Sequence, residues 1–264
     1  MTSAAPAEPA FLIIEGVRLE AIRCGPPPDV ALTIVLLHEG LGCAALWRDL
    51  PQKLAAATGC GVVAYSRAGY GRSDPIALPR PLDYMTREAV DVLPRVLDAL
   101  RVENVVLIGH SDGASIAAIY AGAFDDPRLR GLALIAPHFF AEPEGLSAIR
   151  AAERAYRQGD LRARLAKYHA DVDGAFHGWN RAWLDPDFAR WNIAECIDKW
   201  RVSALVVQGD ADPFGTLKQV EVVRARRPQV EALILAGVGH APQFERPEET
   251  LAALAAFCRR VANV

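Results

Sequence analysis

The sequence predicts an α/β fold: a mainly parallel, doubly wound sheet covered by helices on both faces, with a helical insertion late in the chain. Three observations carry this reading. Short β-branched and aliphatic runs bounded by turn residues recur along the chain. Stretches with helical periodicity lie between them, an alternation that points to a parallel sheet sandwiched by helices. About sixty residues separate the apolar runs Leu132 to Ile135 and Leu205 to Val207, far more than one crossover helix needs, so an insertion occupies that interval.

The elements follow in order. Leu12 to Ile14 and Val17 to Ile22 read as an opening hairpin across Glu15-Gly16, and Thr33 to Leu37 as the first buried strand. A helix is expected over Leu46 to Ala57, and a strand over Gly61 to Tyr65. A Gly-punctuated loop, Arg67 to Asp74, comes next, then a long amphipathic helix from Met85 to Leu100 that Pro94 kinks. Val105 to Ile108 is a strand that stops at Gly109, and the Ala-rich stretch Gly113 to Ala123 is helix-prone. Inside the insertion, Ser147 to Arg157 and Leu161 to Tyr168 are helical by spacing, and Trp179, Trp183, Trp191 and Trp200 lie close together. A helix near Leu217 to Arg226, a strand over Ala232 to Leu235 and a helix over Glu248 to Ala262 close the chain. There is no internal repeat and no low-complexity segment.

A chain of 264 residues can bury one large core carrying a sizeable insertion, but not two generous domains. Hydrophobic residues at 52% and charged residues at 23% are those of an ordinary globular protein, with any disorder confined to the first ten residues. The 29 Lys and Arg are dispersed among 32 acids, for a net charge of -3, so no footprint for nucleic acid appears and a small molecule is the expected partner. The opening MTSAAPAEPA has neither a basic segment nor an apolar one behind it, and no later stretch is apolar for long enough to span a membrane. The expected location is the cytoplasm. The five cysteines, Cys24, Cys43, Cys60, Cys196 and Cys258, are scattered without a CxxC pair and read as reduced packing residues.

The chemistry starts at Gly109-His110-Ser111-Asp112-Gly113. This fits G-x-S-x-G with a strand immediately before it and a helix immediately after, the context that a serine nucleophile on a sharp turn requires. The backbone there is crowded, and glycines two positions to either side leave room for the neighbouring chain. A serine hydroxyl needs an adjacent base, and the base an orienting acid. Gly239-His240 follows the strand Ala232 to Leu235 and is the natural base; Gln208-Gly209-Asp210-Ala211-Asp212-Pro213 follows another strand and holds the acid. Of its two candidates Asp212 is favoured, because Asp210 follows the strand so closely that it suits a local turn cap.

These residues, together with His38-Glu39-Gly40-Leu41-Gly42, Gly69-Tyr70-Gly71-Arg72-Ser73 and Gly239-His240-x-Pro242-x-x-Glu245-x-Pro247, resemble the α/β-hydrolase family over nearly the whole chain. The resemblance implies a hydrolase core over residues 1–137 and 201–264 with a helical cap, after the sixth strand, over 138–200. It also matches Asp212, third after Gly209, to the family's acid. Two backbone amides should hold a tetrahedral oxyanion. One is that of Asp112, next to the nucleophile; the resemblance implies that the other is Gly40, with Leu41 as the alternative. Dehalogenase and epoxide hydrolase relatives use an Asp nucleophile where Ser111 stands.

Several residues have two readings. Glu39 replaces the glycine usual after the family's His; it is paired with Arg67 or Arg72, or it touches a polar substrate. The Asp112 side chain suits a structural role at a helix start. His110 and His38 read as packing and loop-holding residues, and His138 either lines the pocket or only shapes a loop. His169 to Asp173 spells H-x-x-x-D without strand-loop context and reads as coincidence. Trp179, Trp183 and Phe188 build a core or roof the pocket.

No metal-ligand spacing and no phosphate-binding glycine loop occurs, so no cofactor or metal is expected. The expected reaction is acyl transfer from a carboxylic ester to Ser111, failing as pH drops through about 6 to 7, where an ordinary histidine protonates. Two alternatives stand beside it: carbon-carbon bond hydrolysis of a dienoate, against which Ala241 stands where such relatives carry Trp, and a ligand receptor on the same scaffold. The sequence leaves the oligomeric state open.

Overall fold

The computed structural model describes residues 10–262, so the expectation about the N-terminal segment lies, apart from Ala10, outside the described residues. Strands β1 (Ala10–Ile14) and β2 (Val17–Cys24) form the expected hairpin. Both turn residues, Glu15 and Gly16, take positive φ (50° and 85°), the twist that a two-residue hairpin loop favours. Next come β3 (Thr33–Leu37), β4 (Gly61–Tyr65), β5 (Val105–His110), β6 (Leu129–Ile135), β7 (Ser203–Gly209) and β8 (Glu231–Leu235). The eight strands form one sheet in the order β1-β2-β4-β3-β5-β6-β7-β8. From β4 to β8 every neighbouring pair is parallel, and the hairpin joins the edge of β4 antiparallel.

Alternation along the strands divides the core in two. Val35, Leu37, Leu107, Leu132 and Leu134 face one side. Ile34, Leu36, Val106, Ile108, Ala133 and Ile135 face the other. Helices α1 (Leu50–Thr58) and, at the chain's end, α10 (Pro247–Ala262) cover the second face, and the remaining crossover helices cover the first.

Two expected helices are broken. The first begins as a 3₁₀ turn at Ala44–Trp47, turns sharply at Arg48 (φ 54°), and restarts as α1 with Pro51 in its first turn, a position where the missing N–H costs nothing. The second consists of α2 (Tyr84–Arg87), a wide π turn over Glu88–Val92 and α3 (Leu93–Leu100). Pro94 cannot donate to the preceding turn, and the ladder shifts register there. Behind β5, α4 (Asp112–Ala123) is buried all round.

Between β6 and β7 lie α5 (Pro143–Gln158), α6 (Leu161–Leu165) and α7 (Val172–Leu184), followed by 3₁₀ turns at Phe188–Arg190 and Ala194–Lys199. Helix α7 is capped by the Asp171 carboxylate, which accepts from the Gly174 amide at 2.8 Å. The insertion is tied down at its exit, where Trp200 Nε1 donates to the Ala118 carbonyl of α4 at 2.9 Å. After β7 come α8 (Lys218–Arg226) and, beyond β8, the short α9 (Pro242–Glu245).

The chain runs outward from β3 to β4 and then crosses back to β5, so strand order reverses between β3 and β5. In open parallel sheets the carboxyl ends at such a reversal form a ready-made crevice. His38 leaves the end of β3 there and Ser111 the end of β5. Among the described residues no helix is long and apolar enough to cross a membrane, and no group of side chains is arranged to hold a metal.

Candidate active site

Ser111 sits at φ 54° and ψ -120°, a backbone conformation that costs a non-glycine residue of order 1–3 kcal/mol. Its amide donates to the Ile135 carbonyl at 2.9 Å, and its own carbonyl accepts from Ala114 and Ser115 as α4 begins. The turn is possible only because of its glycines. A β-carbon on Gly109 would collide with the Gly113 carbonyl, and one on Gly113 would collide with the Leu37 carbonyl of β3.

The loops after β7 and β8 bring Asp212 and His240 together: His240 Nδ1 lies 2.7 Å from Asp212 Oδ2. The carboxylate also accepts from Gln208 Nε2 at 2.8 Å and, through Oδ1, from the Phe214 amide at 2.8 Å. Burial works against its ionisation, but His240 and the Phe214 amide prevail and hold its pKa below the usual carboxylate value. With Asp212 ionised, Nδ1 of His240 carries the proton and Nε2 is left as acceptor. Asp210 has a different role, its Oδ1 accepting from the Gly237 amide at 2.7 Å and bracing the loop after β8. The Glu245 carboxylate clamps that same loop, accepting from Gly239 at 2.8 Å and Ala241 at 3.2 Å.

Ser111 and His240 line one cavity of about 440 Å³, shared with Glu39, Gly40, Leu41, Asp112, His138, Trp179 and Trp183. The loop from His38 to Gly42 is held from behind. His38 Nδ1–H donates to the Glu39 carbonyl at 2.7 Å, while its Nε2 accepts from the Arg67 amide at 3.1 Å. Burial, helped by the Arg67 charge, keeps this imidazole neutral. The amides of Gly40 and Leu41 donate to no acceptor among the described residues. The amide of Asp112, at the first position of α4, has no intrahelical acceptor either. The Gly40 backbone packs against the Trp179 indole, where any β-carbon would clash.

Some expectations need correction. Neither Arg67 nor Arg72 pairs with the Glu39 carboxylate. Arg67 donates instead to the carbonyls of His38 (2.5 Å) and Glu39 (3.1 Å), and Arg72 lies 4.0 Å from Glu20. The carboxylate of Glu39 faces His110, with Nδ1 3.5 Å from Oε2. Burial opposes its ionisation, yet His110 holds its pKa below the ordinary value. The Asp112 side chain makes no helix cap. It accepts from the Tyr84 hydroxyl and from Trp183 Nε1 (3.2 Å), joining the elbow to α2 and α7, while burial pushes its pKa up. Phe188 does not reach the cavity but stacks on Trp191, with ring centres 5.2 Å apart.

The two ends of the H-x-x-x-D pattern do not meet. Asp173 accepts from Arg162 at 2.6 Å and from the Tyr156 hydroxyl. His169 has a separate role that sequence reading missed, donating from Nε2 to the Leu41 carbonyl at 3.0 Å and accepting at Nδ1 from the Gly71 amide at 2.9 Å. Also missed were Phe214, whose ring lies 4.7 Å from that of His240, and the wall formed by Ala148, Ala151, Ala152 and Ala155. The alanines' spacing puts them on one face of α5, a signal the sequence did contain.

Over residues 34–254 the chain matches the model of the alpha/beta hydrolase family. It belongs to the alpha/beta hydrolase family. Epoxide hydrolase B of Mycobacterium tuberculosis is 29% identical over 182 residues, covering 68% of this chain and 46% of that protein, so the chain spans less than half of that relative's length. Esterase YbfF of Escherichia coli is 24% identical, covering 64% of this chain and 72% of its own. Among solved structures, a thermophilic esterase from Thermogutta terrifontis superposes with a TM-score of 0.75 at 20% identity, covering 97% of this chain and all of its own (100%). Est816, described as an N-acyl homoserine lactone degrading enzyme, gives 0.72 at 25% identity, covering 94% and 100%.

As in other doubly wound sheets, the loops at the strand carboxyl ends of this alpha/beta hydrolase carry Ser111, Asp212 and His240. The helical insertion contributes Trp179, Trp183 and the α5 alanines to the opposite wall, so the cavity lies between sheet and insertion.

Proposed function

We propose that the protein is a serine hydrolase that cleaves a carboxylic ester or a related acyl bond of a small molecule through an acyl-enzyme on Ser111. The observation that carries this reading is the 2.7 Å pair of His240 Nδ1 and Asp212 Oδ2 opening into the same cavity as a serine on a strained strand-to-helix turn. The alpha/beta hydrolase fold alone would not support it, since one fold hosts many chemistries. Relatives named as esterases agree with it, and the serine at the elbow sets it apart from an Asp-nucleophile reaction such as epoxide opening.

In this mechanism Ser111 Oγ attacks the carbonyl carbon as His240 Nε2 takes its proton, and the carbonyl π electrons become an oxyanion. The amides of Asp112 and Gly40 receive that charge, with Leu41 as the alternative donor. Asp212 remains ionised and stabilises the imidazolium. Collapse breaks the bond to the alcohol oxygen, which leaves with the proton from His240. Water then attacks the acyl-enzyme, its proton passes to His240, and the acid departs as Ser111 Oγ recovers it. No step requires a cofactor.

Glu39, Leu41, His138, Trp179 and Trp183 form the substrate pocket in this reading, and residues 138–200 act as a lid over the core of 1–137 and 201–264. The five free cysteines suit a reducing compartment, consistent with a cytoplasmic enzyme. The test is Ser111→Ala assayed on a panel of chromogenic esters of rising chain length. Loss of turnover by several orders of magnitude with unchanged melting temperature is expected; turnover equal to the parent's contradicts the assignment.

A further inference from the structure

His138 is a polar group in a place where polarity needs a reason. It is 4% exposed and lines the cavity beside Ser111, its ring centre 5.6 Å from that of His240 and 5.3 Å from that of Trp183. No hydrogen bond among the described residues engages either ring nitrogen; the Ser115 hydroxyl that binds this residue uses its backbone carbonyl, at 2.6 Å. Neither nitrogen is a fully buried atom left without a partner, so the polar edge of the ring meets the cavity rather than the packed core. Nothing in the surrounding protein uses that polarity, so packing alone gives no reason for an imidazole here.

The backbone that delivers the ring is strained as well. Ala136, at the end of β6, takes φ 46°, a left-handed conformation unusual for a residue with a β-carbon, and its amide is fixed to the Val207 carbonyl at 2.9 Å. The turn Ala136-Pro137-His138 resembles the elbow at Ser111 in this respect: each has a non-glycine residue at positive φ at a strand end, and Ser111 and His138 line one cavity. On the far side of the ring, Gly215 leaves only enough room for it, since a β-carbon there would lie 3.1 Å from its Cε1. Burial, together with the neighbouring His240, lowers the pKa of His138 to about 3, so the ring offers one N–H donor and one lone pair at any working pH.

We infer that His138 is a specificity-determining residue that hydrogen-bonds a hydroxyl or carbonyl group of the substrate close to the scissile bond, so that preferred substrates are esters of oxygenated acids or alcohols rather than plain alkyl esters. The inference rests on the acyl-transfer reading and refines it. Most of the remaining cavity wall is apolar, formed by the α5 alanines, Phe214 and the tryptophan rings. Its charged groups are engaged elsewhere: the carboxylate of Glu39 is turned to His110, that of Asp112 to Tyr84 and Trp183, and the Arg164 guanidinium lies 3.7 Å from Asp160. A small polar substituent beside His240 therefore finds its partner at His138.

The test compares kcat/KM for matched pairs in the parent, His138→Leu and His138→Asn. p-Nitrophenyl 3-hydroxybutyrate against p-nitrophenyl butyrate reads a hydroxyl on the acyl side, and 2-hydroxyethyl butyrate against propyl butyrate reads one on the alcohol side. The parent should prefer the hydroxylated member of one pair by about 10-fold or more, the worth of a buried hydrogen bond; His138→Leu should abolish that preference and His138→Asn restore part of it. The melting temperature supplies a second readout. His138→Leu should melt at or above the parent, since it removes no hydrogen bond made within the protein, whereas clear destabilisation would mark His138 as structural and overturn the inference. A preference unchanged in His138→Leu, or absent in the parent, overturns it too. If the parent cleaves butyrate esters without preference, only this inference falls; if it cleaves no ester at all, the acyl-transfer reading falls with it.

Discussion

Nε2–H of His110 donates to the main-chain carbonyl of His240 across 2.7 Å, so the residue before the proposed nucleophile also holds the backbone of the proposed base. The ring is buried, its Nδ1 faces the Gln243 amide at 3.1 Å, and its centre lies 5.1 Å from that of His240. One strand end thereby ties together Ser111 and His240, which are far apart in sequence. Replacing His110 by Phe preserves bulk and removes the donor. A misplaced base slows chemistry more than binding, so kcat should fall by about tenfold, the worth of one hydrogen bond, with little change in KM. Steady-state kinetics on a single chromogenic ester checks the split; a change confined to KM contradicts a positioning role.

Asp212→Asn keeps the shape of the acid but no longer favours the proton on Nδ1 of His240. The Gln208 and Phe214 donors at 2.8 Å both then face a group able to accept through one oxygen only. By analogy with the serine protease triad, kcat should drop on the order of 10³–10⁴ while the fold persists. Circular dichroism beside the kinetics distinguishes this from unfolding.

Acid should destabilise the fold before ordinary carboxylates titrate. His138, His38 and His169 all have pKa values lowered chiefly by burial, so below about pH 6.5 the unfolded chain binds protons that the folded chain refuses. Stability therefore falls as pH falls. For His138, with a folded pKa of about 3, the loss between pH 7 and pH 5 is about 2 kcal/mol. Burial raises the pKa of Asp112 and Glu88, which works in the opposite direction, so the clean quantity is a difference. Urea midpoints at pH 7 and pH 5 should differ less in His138→Leu than in the parent, and an equal difference contradicts a neutral buried imidazole.

Trp183 Nε1 bridges the Tyr84 hydroxyl at 3.0 Å and Asp112 Oδ1 at 3.2 Å, and so ties the insertion to the elbow. Trp183→Phe leaves a buried acceptor short of a donor, at a cost of about 1–3 kcal/mol. Thermal unfolding should shift down by several degrees; an unchanged melting temperature would mean that the indole N–H holds nothing.

What the sequence reveals and what it hides follow from how each feature is encoded. The elbow at Ser111 was legible because it needs glycines at fixed offsets, and Gly109 and Gly113 prove to be points of backbone contact rather than loose hinges. Asp212 and His240 were legible because each lies in the loop that follows an apolar strand run, with Asp212 singled out from Asp210 by its place third after Gly209. The partner of Glu39 was hidden, since a carboxylate can reach several cations from one loop and only packing decides that His110, rather than Arg67 or Arg72, stands opposite it. The work of His169 was hidden for a related reason: its partners, Leu41 and Gly71, are backbone groups about a hundred residues away, and backbone partners leave no mark on composition. Helix α7 was overlooked as an element although its cap, Asp171, and its paired tryptophans at i and i+4 were in view.

The most direct test of the central claim is covalent labelling of the intact protein with a fluorophosphonate, followed by mass mapping of the adduct. One adduct is expected, on Ser111, formed by the parent and abolished in Ser111→Ala and His240→Ala. An adduct on another residue, or a parent protein that stays unlabelled while correctly folded, would contradict the activation of Ser111 by His240.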